Sequence, residues 1–383
     1  MADVPTLDTV AAVVDPSGDS ARIPRGMVKI NDVVSPAWLD FEVDSNRFHE
    51  ADTFSVTLDL SKLEAPQDLA WLIDQSTLSV EIFAGFPQNP ENYGAADLKS
   101  WIVGNVDDDG LDLSGRTLTL TGRDLTSLLI DAKTTEKWQT QTASEIATTL
   151  ASRHGLTPVV TATTTPVGRY YQIDHVSMTS TDTEWEFLSW LAVQEGFVVY
   201  VKGKELHFEA APNPDDANVF SIEWQEPDDE FGYFRSNTKR LGFSRTLTVG
   251  KGAVVQVRSW NQKQKTGFTA TYPSSHAKGI KPGSSSAPAQ VYSYVIPNLT
   301  QEQANQRAMA LYNELIKHEM KFNANLPADN DLDSTWMADI TGTGTKFDQK
   351  YYVESVSRSM SNGGGYDMSI RGKNHSDQTS PIP

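Results

Sequence analysis

A strand and a helix follow one another within residues 115–156, GRTLTLTGRDLTSLLIDAKTTEKWQTQTASEIATTLASRHGL. Threonines alternate with leucines over residues 117–121, and this period of two is typical of a strand with one buried face. A capping box from Thr142 to Glu145 then opens a helix whose alanine, isoleucine and leucine side chains share one face. Gly155 stands where a helix C-terminal glycine belongs. The segment therefore predicts the passage from a β-domain into an α/β domain.

The turn between this strand and this helix consists of Gly122, Arg123 and Asp124. The glycine interrupts the strand pattern, and leucines follow it at helical spacing. Short acidic side chains at such a turn commonly cap the next helical turn. We expect Arg123 and Asp124 to act as local ion-pair or capping groups, and not as a phosphate-binding or catalytic site.

Changes in periodicity divide the chain into three domains and a tail. Residues 1–128 alternate apolar and polar side chains and predict a first β-domain, whereas residues 129–210 combine helices with a hairpin and predict a smaller α/β domain. Residues 211–375 predict a second β-domain with one long helix inserted at 300–320. Residues 376–383 predict a flexible tail. The fold class expected from the sequence is therefore α+β and mainly β.

Charge is distributed unevenly along the chain. The formal net charge is −18, and residues 1–128 alone contain 22 acidic and 8 basic side chains. Residues 231–301 contain no aspartate or glutamate but ten lysines and arginines. Opposite charges on two parts of one chain suit a head-to-tail contact between copies. We therefore expect the basic segment 231–301 to contact the acidic first domain of a neighbouring copy.

The composition excludes several kinds of site and segment. The chain has no cysteine, which excludes disulfides and thiolate metal sites. It contains no run of about 18 apolar residues, the length that a membrane-spanning helix requires. Residues 1–19 are acidic and lack the basic start and apolar centre of a secretory signal. These features fit assembly in the cytoplasm.

Two local patterns resemble metal sites, and both have a simpler explanation. The segment Asp107-Asp108-Asp109-Gly110-Leu111-Asp112 lacks the register and the closing glutamate of a calcium-binding loop, so we interpret it as a solvated hairpin turn. Glu314 and His318 lie four residues apart on the predicted helix, but the HExxH pattern and a third zinc ligand are missing. An ordinary surface pair is favoured for them. The remaining histidines show no ligand spacing: His49, His154, His175, His207, His276 and His375.

Enzymatic and sugar-binding roles remain as alternatives. The sequence has neither a GxSxG nucleophile motif nor a P-loop. A carboxylate pair for cleavage of cell-wall glycans is compatible with the many acids, although nothing marks one pair. Aromatic side chains could form a carbohydrate platform, but their helical and strand spacing favours a core. They are Trp185, Phe187, Trp190 and Phe197. Trp260 alone within the basic segment makes a poor stacking series for nucleic acid.

The order and spacing of these motifs resemble the phage late-control D family, the baseplate hub proteins of contractile tails. The base of the VgrG spike proteins of type VI secretion is related to this family. The resemblance extends from about residue 25 to residue 372. It rests on Thr119–Asp131, Trp138, the helix that ends at Gly155, Thr183–Phe197, the hairpin from Tyr200 to Phe208, Val255–Asn261, the helix at 300–320 and the hairpin at 351–371. We expect the chain to differ from VgrG in having no C-terminal β-helix and no appended lysozyme-like or peptidase domain.

The resemblance implies a structural protein without catalytic, cofactor-binding or metal-binding residues. Hubs of this family are trimeric rings in which two similar β-barrels per chain, flanking the α/β domain, place six barrels around a channel. One side of the ring matches the hexameric tail tube, and the other side holds a trimeric spike. The implied partners are two further copies, the tube protein, a separate spike protein, the tape-measure protein and the baseplate wedge proteins. The implied location is the tail baseplate of the virion, after assembly in the host cytoplasm.

A channel of this kind implies a surface past which the genome moves. Because affinity for phosphates comes from lysine and arginine, an acidic lumen would repel DNA and limit its binding during ejection. We therefore expect DNA to pass the channel without specific binding.

Overall fold

The computed structural model of the chain describes residues 23–133, 135–168, 175–177, 182–213, 216–227, 232–246, 253–261, 265–273, 290–297, 299–316 and 319–374. The predicted flexible tail at 376–383 lies outside these ranges. Over the described residues as a whole, strands predominate over helices, so the expectation of a mainly β protein is confirmed.

The N-terminal part of the chain forms seven antiparallel strands, as its alternating pattern predicts. The strands are β1 (Arg25–Ile30), β2 (Val33–Ser35), β3 (Trp38–Asn46), β4 (Thr53–Asp59), β5 (Ser79–Gly85), β6 (Lys99–Asp112) and β7 (Thr117–Asp124). Their order in the sheet is β2-β1-β5-β6-β7-β4-β3. The connections contain 3₁₀ turns at Leu60–Lys62 and Ala95–Asp97 and the short helix α1 (Leu69–Asp74). Every second side chain of β4 and β7 is buried, which places one face of the sheet against the core.

The residues that follow form a small α/β unit. Its elements are α2 (Ser127–Asp131), β8 (Lys137–Gln139), α3 (Ala143–Arg153), β9 (Thr157–Val160), β10 (His175–Ser177), α4 (Glu184–Glu195), β11 (Phe197–Lys202) and β12 (Glu205–Ala210). Its two longest helices begin at the predicted capping boxes, where Thr142 and Thr183 accept hydrogen bonds from the backbone three residues on. Gly155 and Gly196 follow these helices with a φ of +70°, as helix C-terminal glycines do. A separate hydrophobic cluster forms the core of this unit.

The described residues from 219 to 374 form ten strands and one long helix. They are β13 (Val219–Gln225), β14 (Arg235–Ser236), β15 (Arg240–Arg245), β16 (Ala253–Asn261), β17 (Thr266–Tyr272), β18 (Gln290–Val295), α5 (Gln301–Ile316), β19 (Met320–Pro327), β20 (Met337–Thr341), β21 (Gln349–Ser361) and β22 (Tyr366–Asn374). The order β17-β16-β18 makes a separate small sheet, on which α5 packs.

The helix predicted at 300–320 is shorter than expected. It ends at Ile316, because Met320 already belongs to β19 and pairs there with Arg245 of β15. Within the described ranges, no helix combines the length and the apolar character needed to cross a lipid bilayer.

The strand order of the N-terminal part is repeated in the C-terminal part. There, the order in the large sheet is β14-β13-β20-β21-β22-β19-β15, which matches β2-β1-β5-β6-β7-β4-β3 strand for strand. A β-bulge follows Val106 in β6 and Val353 in β21, and these valines pair with Gly122 and Gly372 of the next strand. One pairing differs, since β1 and β5 run antiparallel whereas β13 and β20 run parallel. The chain thus contains one seven-stranded topology twice, and we name the two copies the N-terminal and C-terminal sheet halves.

The two sheet halves form one continuous sheet of 14 strands because β3 pairs with β21. Residues Asp40–Asn46 lie antiparallel to Ser355–Ser361 at this joint. The halves also share one hydrophobic cluster, which includes Val56 from the first half and Ile370 from the second. The described strands form no closed barrel, so the predicted pair of barrels is not confirmed. Strand β3 lies at the edge of the N-terminal half. Instead of pairing with β2 and closing a barrel, it pairs with β21 and continues the sheet into the C-terminal half.

Candidate functional site at the joint of the sheet halves

Arg47 fixes the joint from the end of β3. Its Nη1 atom donates hydrogen bonds to the carbonyl oxygens of Ser334, Trp336 and Val353, at 3.3, 3.4 and 3.0 Å. Its guanidinium carbon also lies 4.8 Å from the ring centroid of Tyr352. A cation that binds three main-chain oxygens and faces an aromatic ring holds two segments in one arrangement. Arg47 therefore connects the N-terminal sheet half to the loop before β20 and to β21 of the C-terminal half.

Replacement of this arginine tests its role in the joint. We expect Arg47→Ala to lower the free energy of unfolding by about 2–3 kcal/mol, since hydrogen bonds to charged groups contribute ~1.5–3 kcal/mol. The measurement is urea denaturation followed by tryptophan fluorescence. Lys62→Ala is the control, because the ammonium of Lys62 lies at the surface, 3.9 Å from the carboxylate of Asp59. Equal unfolding midpoints for the two variants would contradict the role of Arg47.

A cleft of about 310 Å³ lies beside the joint, where the two sheet halves meet the α/β unit. Three parts of the chain line it, and their side chains include Asn46, Lys99, Trp101, Tyr200, Lys202, Asp333, Thr335 and Arg358. Tyr200 donates a hydrogen bond of 2.7 Å to the carboxylate of Glu209. Burial and this bond raise the pKa of Tyr200 above its usual value, so its hydroxyl stays protonated.

Trp101 contacts two cations in the wall of the cleft. The guanidinium carbon of Arg358 is 3.6 Å from its ring centroid, and Nζ of Lys99 is 4.1 Å away. Burial lowers the pKa of both cations, and the aromatic face offsets part of their lost hydration. Arg358 donates from Nη2 to the carbonyl oxygen of Leu332. Lys99 donates to the carbonyl oxygen of Asn330 at 2.8 Å, so both cations hold the same loop.

Lys202 and Asp333 connect the α/β unit to that loop. Their Nζ and Oδ2 atoms lie 3.2 Å apart. Burial alone would raise the pKa of Asp333, but the Lys202 ammonium and hydrogen bonds from Thr335 hold it below its usual value. Asp333 is therefore ionised at neutral pH and attracts the lysine across the cleft.

Two aspartates, the partly buried Asp52 and the buried Asp124, also line the cleft. Burial and the neighbouring Asp124 raise the pKa of Asp52 well above its usual value. Burial raises the pKa of Asp124 to about 7. Asp52 accepts a hydrogen bond from the amide nitrogen of Asn46 at 2.7 Å. Asp124 accepts one from the amide of Thr126 at 3.1 Å and one from its hydroxyl at 3.0 Å. It does not cap the first turn of α2, because Thr126 is the N-cap residue of that helix and the helix has no side-chain cap.

The arrangement suits a structural junction more directly than bond cleavage. A glycoside hydrolase needs an acid of raised pKa and a second carboxylate facing its substrate. Asp124 has the raised pKa, but its oxygens are occupied by Thr126. In the part of the chain that the structure describes, no group of three or more His, Cys, Asp or Glu side chains is arranged to hold a metal ion. Lys99 and Arg358 are directed to main-chain oxygens, and Lys202 is directed to Asp333.

The segment Asp107–Asp112 lies within β6, which corrects its interpretation as a hairpin turn. The strand continues through the aspartates because they pair with Thr117–Thr121 of β7. The turn follows at Leu113–Arg116, where two amides donate to the last aspartate of the strand. Arg123 binds Asp107 through two hydrogen bonds of 2.6 and 2.8 Å, which confirms the predicted local ion pair.

The histidines that the structure describes do not converge on one site. His154 bonds to the buried carboxylate of Glu184 at 2.6 Å. His207 stacks on Tyr200, with ring centroids 4.6 Å apart. Both therefore have structural partners within the α/β unit. Outside the described side chains lie Glu314, His318, His175, His276 and His375.

The aromatic side chains of α4 and β11 form a core, as their spacing predicts. Trp185 and Phe187 are buried, and Phe187 stacks on Trp190 with ring centroids 5.9 Å apart. Phe197 lies 5.4 Å from Phe208 by the same measure. Because these rings cover one another, they do not present the flat exposed surface that a sugar platform requires.

The basic segment 231–301 is partly paired with acids of the same chain. Arg245 bonds to the carboxylate of Glu319 at 2.7 Å, and Lys239 bonds to that of Asp367. The expected contact of this segment with the acidic first domain of a neighbouring copy stays a prediction. Outside the described residues lie Lys251, Lys263, Lys278 and Lys281.

The residues of the joint were not identified from sequence patterns. Arg47, Trp101 and Arg358 belong to separate segments, and no local motif brings them together. One signal was available in β21, where Arg358 occupies the inward phase of an alternating strand between Val356 and Met360. A charged side chain at such a position predicts a buried polar contact.

Comparison with known proteins gives matches among solved structures. No protein-family model and no curated protein matches the sequence. The crystal structure of a tail protein from Neisseria meningitidis matches with a TM-score of 0.65 at 13% identity, over 92% of this chain and 96% of that chain. The 43 kDa tail protein of prophage MuSo2 from Shewanella oneidensis matches with a TM-score of 0.64 at 14% identity, over 91% and 98% of the two chains. This chain has the fold of the phage tail proteins.

The same tail-protein fold occurs in a secretion machine. A component of the E. coli type VI secretion system, similar in structure to the bacteriophage T4 tail proteins gp27 and gp5, matches with a TM-score of 0.51 at 11% identity. The match covers 93% of this chain and 80% of that chain. The resemblance to tail hubs and type VI secretion proteins, expected from the motifs, is thus confirmed at the level of the fold.

Proposed function

We propose that this tail-fold protein is the structural hub of the baseplate in a contractile phage tail. The observation that carries the proposal is the correspondence with the Neisseria tail protein, which spans 92% of this chain and 96% of that one. Because the match covers nearly all of both chains, it includes the β, the α/β and the second β part together. A fold can serve many functions, so the assembly itself has to be tested.

In this proposal three copies form a ring between a hexameric tube and a trimeric spike. The duplicated sheet supports this arrangement, because two sheet halves per chain give six halves in a trimer. Residues 1–128, 129–210 and 211–375 are then the domains of the hub, and each β-domain supplies one of six barrel-like parts of the wall. The tape-measure protein and the genome use the channel, and wedge proteins bind the outside of the ring.

The proposed role is assembly and not catalysis. The hub belongs to the tail of the virion, is assembled in the host cytoplasm and requires no cofactor or metal. An excess of acidic side chains, with a net charge of −18, favours a channel wall that repels DNA phosphates. DNA then passes without specific binding.

Light scattering on the purified chain, combined with negative-stain electron microscopy, tests the proposal. We expect the molar mass of three chains and ring-shaped particles with a central hole. A monomer that clears a peptidoglycan zymogram would overturn the proposal in favour of a cell-wall glycan hydrolase. A monomer that binds glycans without forming a ring would overturn it in favour of a carbohydrate-binding tail module.

A further inference from the structure

The N-terminal sheet half has an open edge that its C-terminal counterpart has covered. In β21, one edge of Ser355–Ser361 pairs with β3, while β22 occupies the other edge. In β6, the equivalent residues after the bulge pair with β7 on one edge. Their second edge has no strand partner among the described residues, and Asp107–Asp112 are all exposed. Unpaired backbone groups along such an edge are a template for another strand.

The strand that matches this edge is present in the C-terminal half. There, β15 takes the place of β3, because each pairs with the equivalent strand on one side, β19 or β4. The second edge of β3 is occupied by β21. The second edge of β15 has no strand partner among the described residues. Each chain therefore has two edges without a strand partner among the described residues. One is the second edge of β15 in the C-terminal sheet half, and the other is the second edge of β6 in the N-terminal sheet half.

We propose that β15 of one copy pairs antiparallel with the second edge of β6 in a neighbouring copy. The contact repeats between chains the β3–β21 joint that exists within each chain. The proposal deepens the proposed function and rests on it, since it names the surfaces through which the hub ring would assemble. The occupant of both edges is a second copy of this chain.

The internal joint fixes the register of the proposed pair. Val43 lies opposite Arg358 in the joint. Phe243 takes the place of Val43, because each pairs with the phenylalanine at the same position of the next strand. Leu111 takes the place of Arg358, because each lies five residues after the valine that precedes the bulge. Phe243 therefore faces Leu111 between copies.

Apolar exposure supports this register. Leu111, in β6, and Leu113, in the turn that follows it, are 43% and 70% exposed. The equivalent side chains of β21 are buried in the internal joint. In the proposed pair, Leu111 and Leu113 lie opposite Phe243 and Leu241 of the neighbouring copy. Cross-strand pairs of aromatic and aliphatic side chains stabilise a sheet, so the contact covers the two exposed leucines.

Charge supports the same pairing. In this register Arg245 lies opposite Asp109. The charged side chains near this pair are acidic on β6 and basic on β15. The acidic strand carries Asp108, Asp109 and Asp112, and the basic strand and its flank carry Lys239, Arg240 and Arg245. Arg245 already bonds to Glu319 of its own chain, so it would bridge two carboxylates. This is a specific location for the contact between a basic and an acidic region that the charge distribution predicts.

The symmetry of the contact allows a closed assembly. The edges of β15 and β6 are different surfaces, so the interface is heterologous and runs head to tail. If the contact between chains repeats the joint within a chain, successive sheet halves are related by one repeated step. If each step turns by one sixth of a circle, six steps close a ring of three chains, as the proposed hub requires.

A disulfide between two single-cysteine variants tests the register. Ser244 lies opposite Gly110 in the proposed pair, and the natural chain has no cysteine to compete. A Cβ atom at Gly110 meets no atom closer than the Thr119 carbonyl oxygen at 3.9 Å, and Ser244 is exposed, so both variants should fold. Directly opposed residues of antiparallel strands have the Cα separation that a disulfide needs.

The experiment mixes Gly110→Cys with Ser244→Cys under mild oxidation. We expect a covalent dimer on a non-reducing gel from the mixture and none from either variant alone. Ser114→Cys replaces Gly110→Cys in the control, because Ser114 lies beyond the end of β6, in the turn that follows the strand. Cross-linking of the control as efficient as that of the Gly110 variant would overturn the register.

Light scattering on the same samples separates the two proposals. Trimeric rings without the disulfide would overturn the β15–β6 contact and leave the hub intact. A disulfide in open chains of many copies would support the contact and overturn the trimeric hub. Monomers without the disulfide, at the highest soluble concentration, would overturn both.

Discussion

Gly122→Ala is expected to lower the free energy of unfolding by at least about 3 kcal/mol, near the upper end of the usual cost of overpacking. A Cβ atom at this position would overlap the carbonyl oxygen of Asn105 and lie 2.7 Å from the ring of Phe54. Neither neighbour can withdraw easily, because β7 is enclosed by β4 and β6. The cost therefore comes from space in the sheet and not from an unusual backbone angle.

A glycine on the adjacent strand provides the control. Gly110→Ala places a Cβ atom no closer than 3.9 Å to Thr119 and should change the unfolding free energy by less than about 0.5 kcal/mol. Gly372→Ala should resemble Gly122→Ala, because a Cβ atom there would overlap Phe322 and lie 2.5 Å from the carbonyl oxygen of Tyr352. Urea denaturation measures all three variants. Equal midpoints for Gly122→Ala and Gly110→Ala would refute the close approach.

Asp124→Asn is expected to gain stability relative to the natural chain as the pH rises. Burial raises the pKa of Asp124 from its usual value of 3.8 to about 7, so the folded state holds a proton that the unfolded state has released. Between these two pKa values, stability therefore falls as the pH rises. The side-chain amide that the variant carries instead cannot ionise, so this loss disappears. From pH 5 to pH 8 the relative gain should reach about 2–3 kcal/mol.

The measurement is the free energy of unfolding of both proteins at pH 5 and at pH 8. Asp348→Asn is the control, because hydrogen bonds from Thr343 and Gly344 outweigh the effect of burial and hold the pKa of Asp348 below its usual value. That carboxylate is ionised in the folded and the unfolded state at both pH values. Its difference from the natural chain should therefore stay constant. A constant difference for Asp124→Asn as well would mean that Asp124 is ionised in the folded protein throughout.

Local structure followed from local sequence in most of the chain. The alternation over 117–121 became β7, and the capping boxes at Thr142 and Thr183 became helix starts. The errors arose where pairing over a distance outweighed a local signal. Gly110 looks like a turn residue, but pairing with β7 keeps it within a strand. The helix predicted to residue 320 stops at Ile316 because the chain is needed for β19.

The duplication and the candidate site were harder to predict for one physical reason. Strand order depends on which edges meet, and the alternating pattern of a strand does not name its neighbour. The parallel pairing of β13 with β20 and the joint of β3 with β21 leave no local mark. Arg47 and Trp101 acquire their roles from that joint. Only Arg358 had a signal in the sequence, because it is a charged residue in the buried phase of β21.

The joint of the sheet halves also sets the order in which the chain folds during synthesis. Ser357 donates a hydrogen bond to Glu42 across 315 residues of sequence, so β3 leaves the ribosome long before its partner exists. The α/β unit draws its core from a short continuous stretch and is able to fold first. Until β21 is synthesised, one edge of β3 in the N-terminal half stays unpaired and can pair with other nascent chains. The final hairpin of β21 and β22 thus completes the fold, and early termination before it should yield insoluble protein.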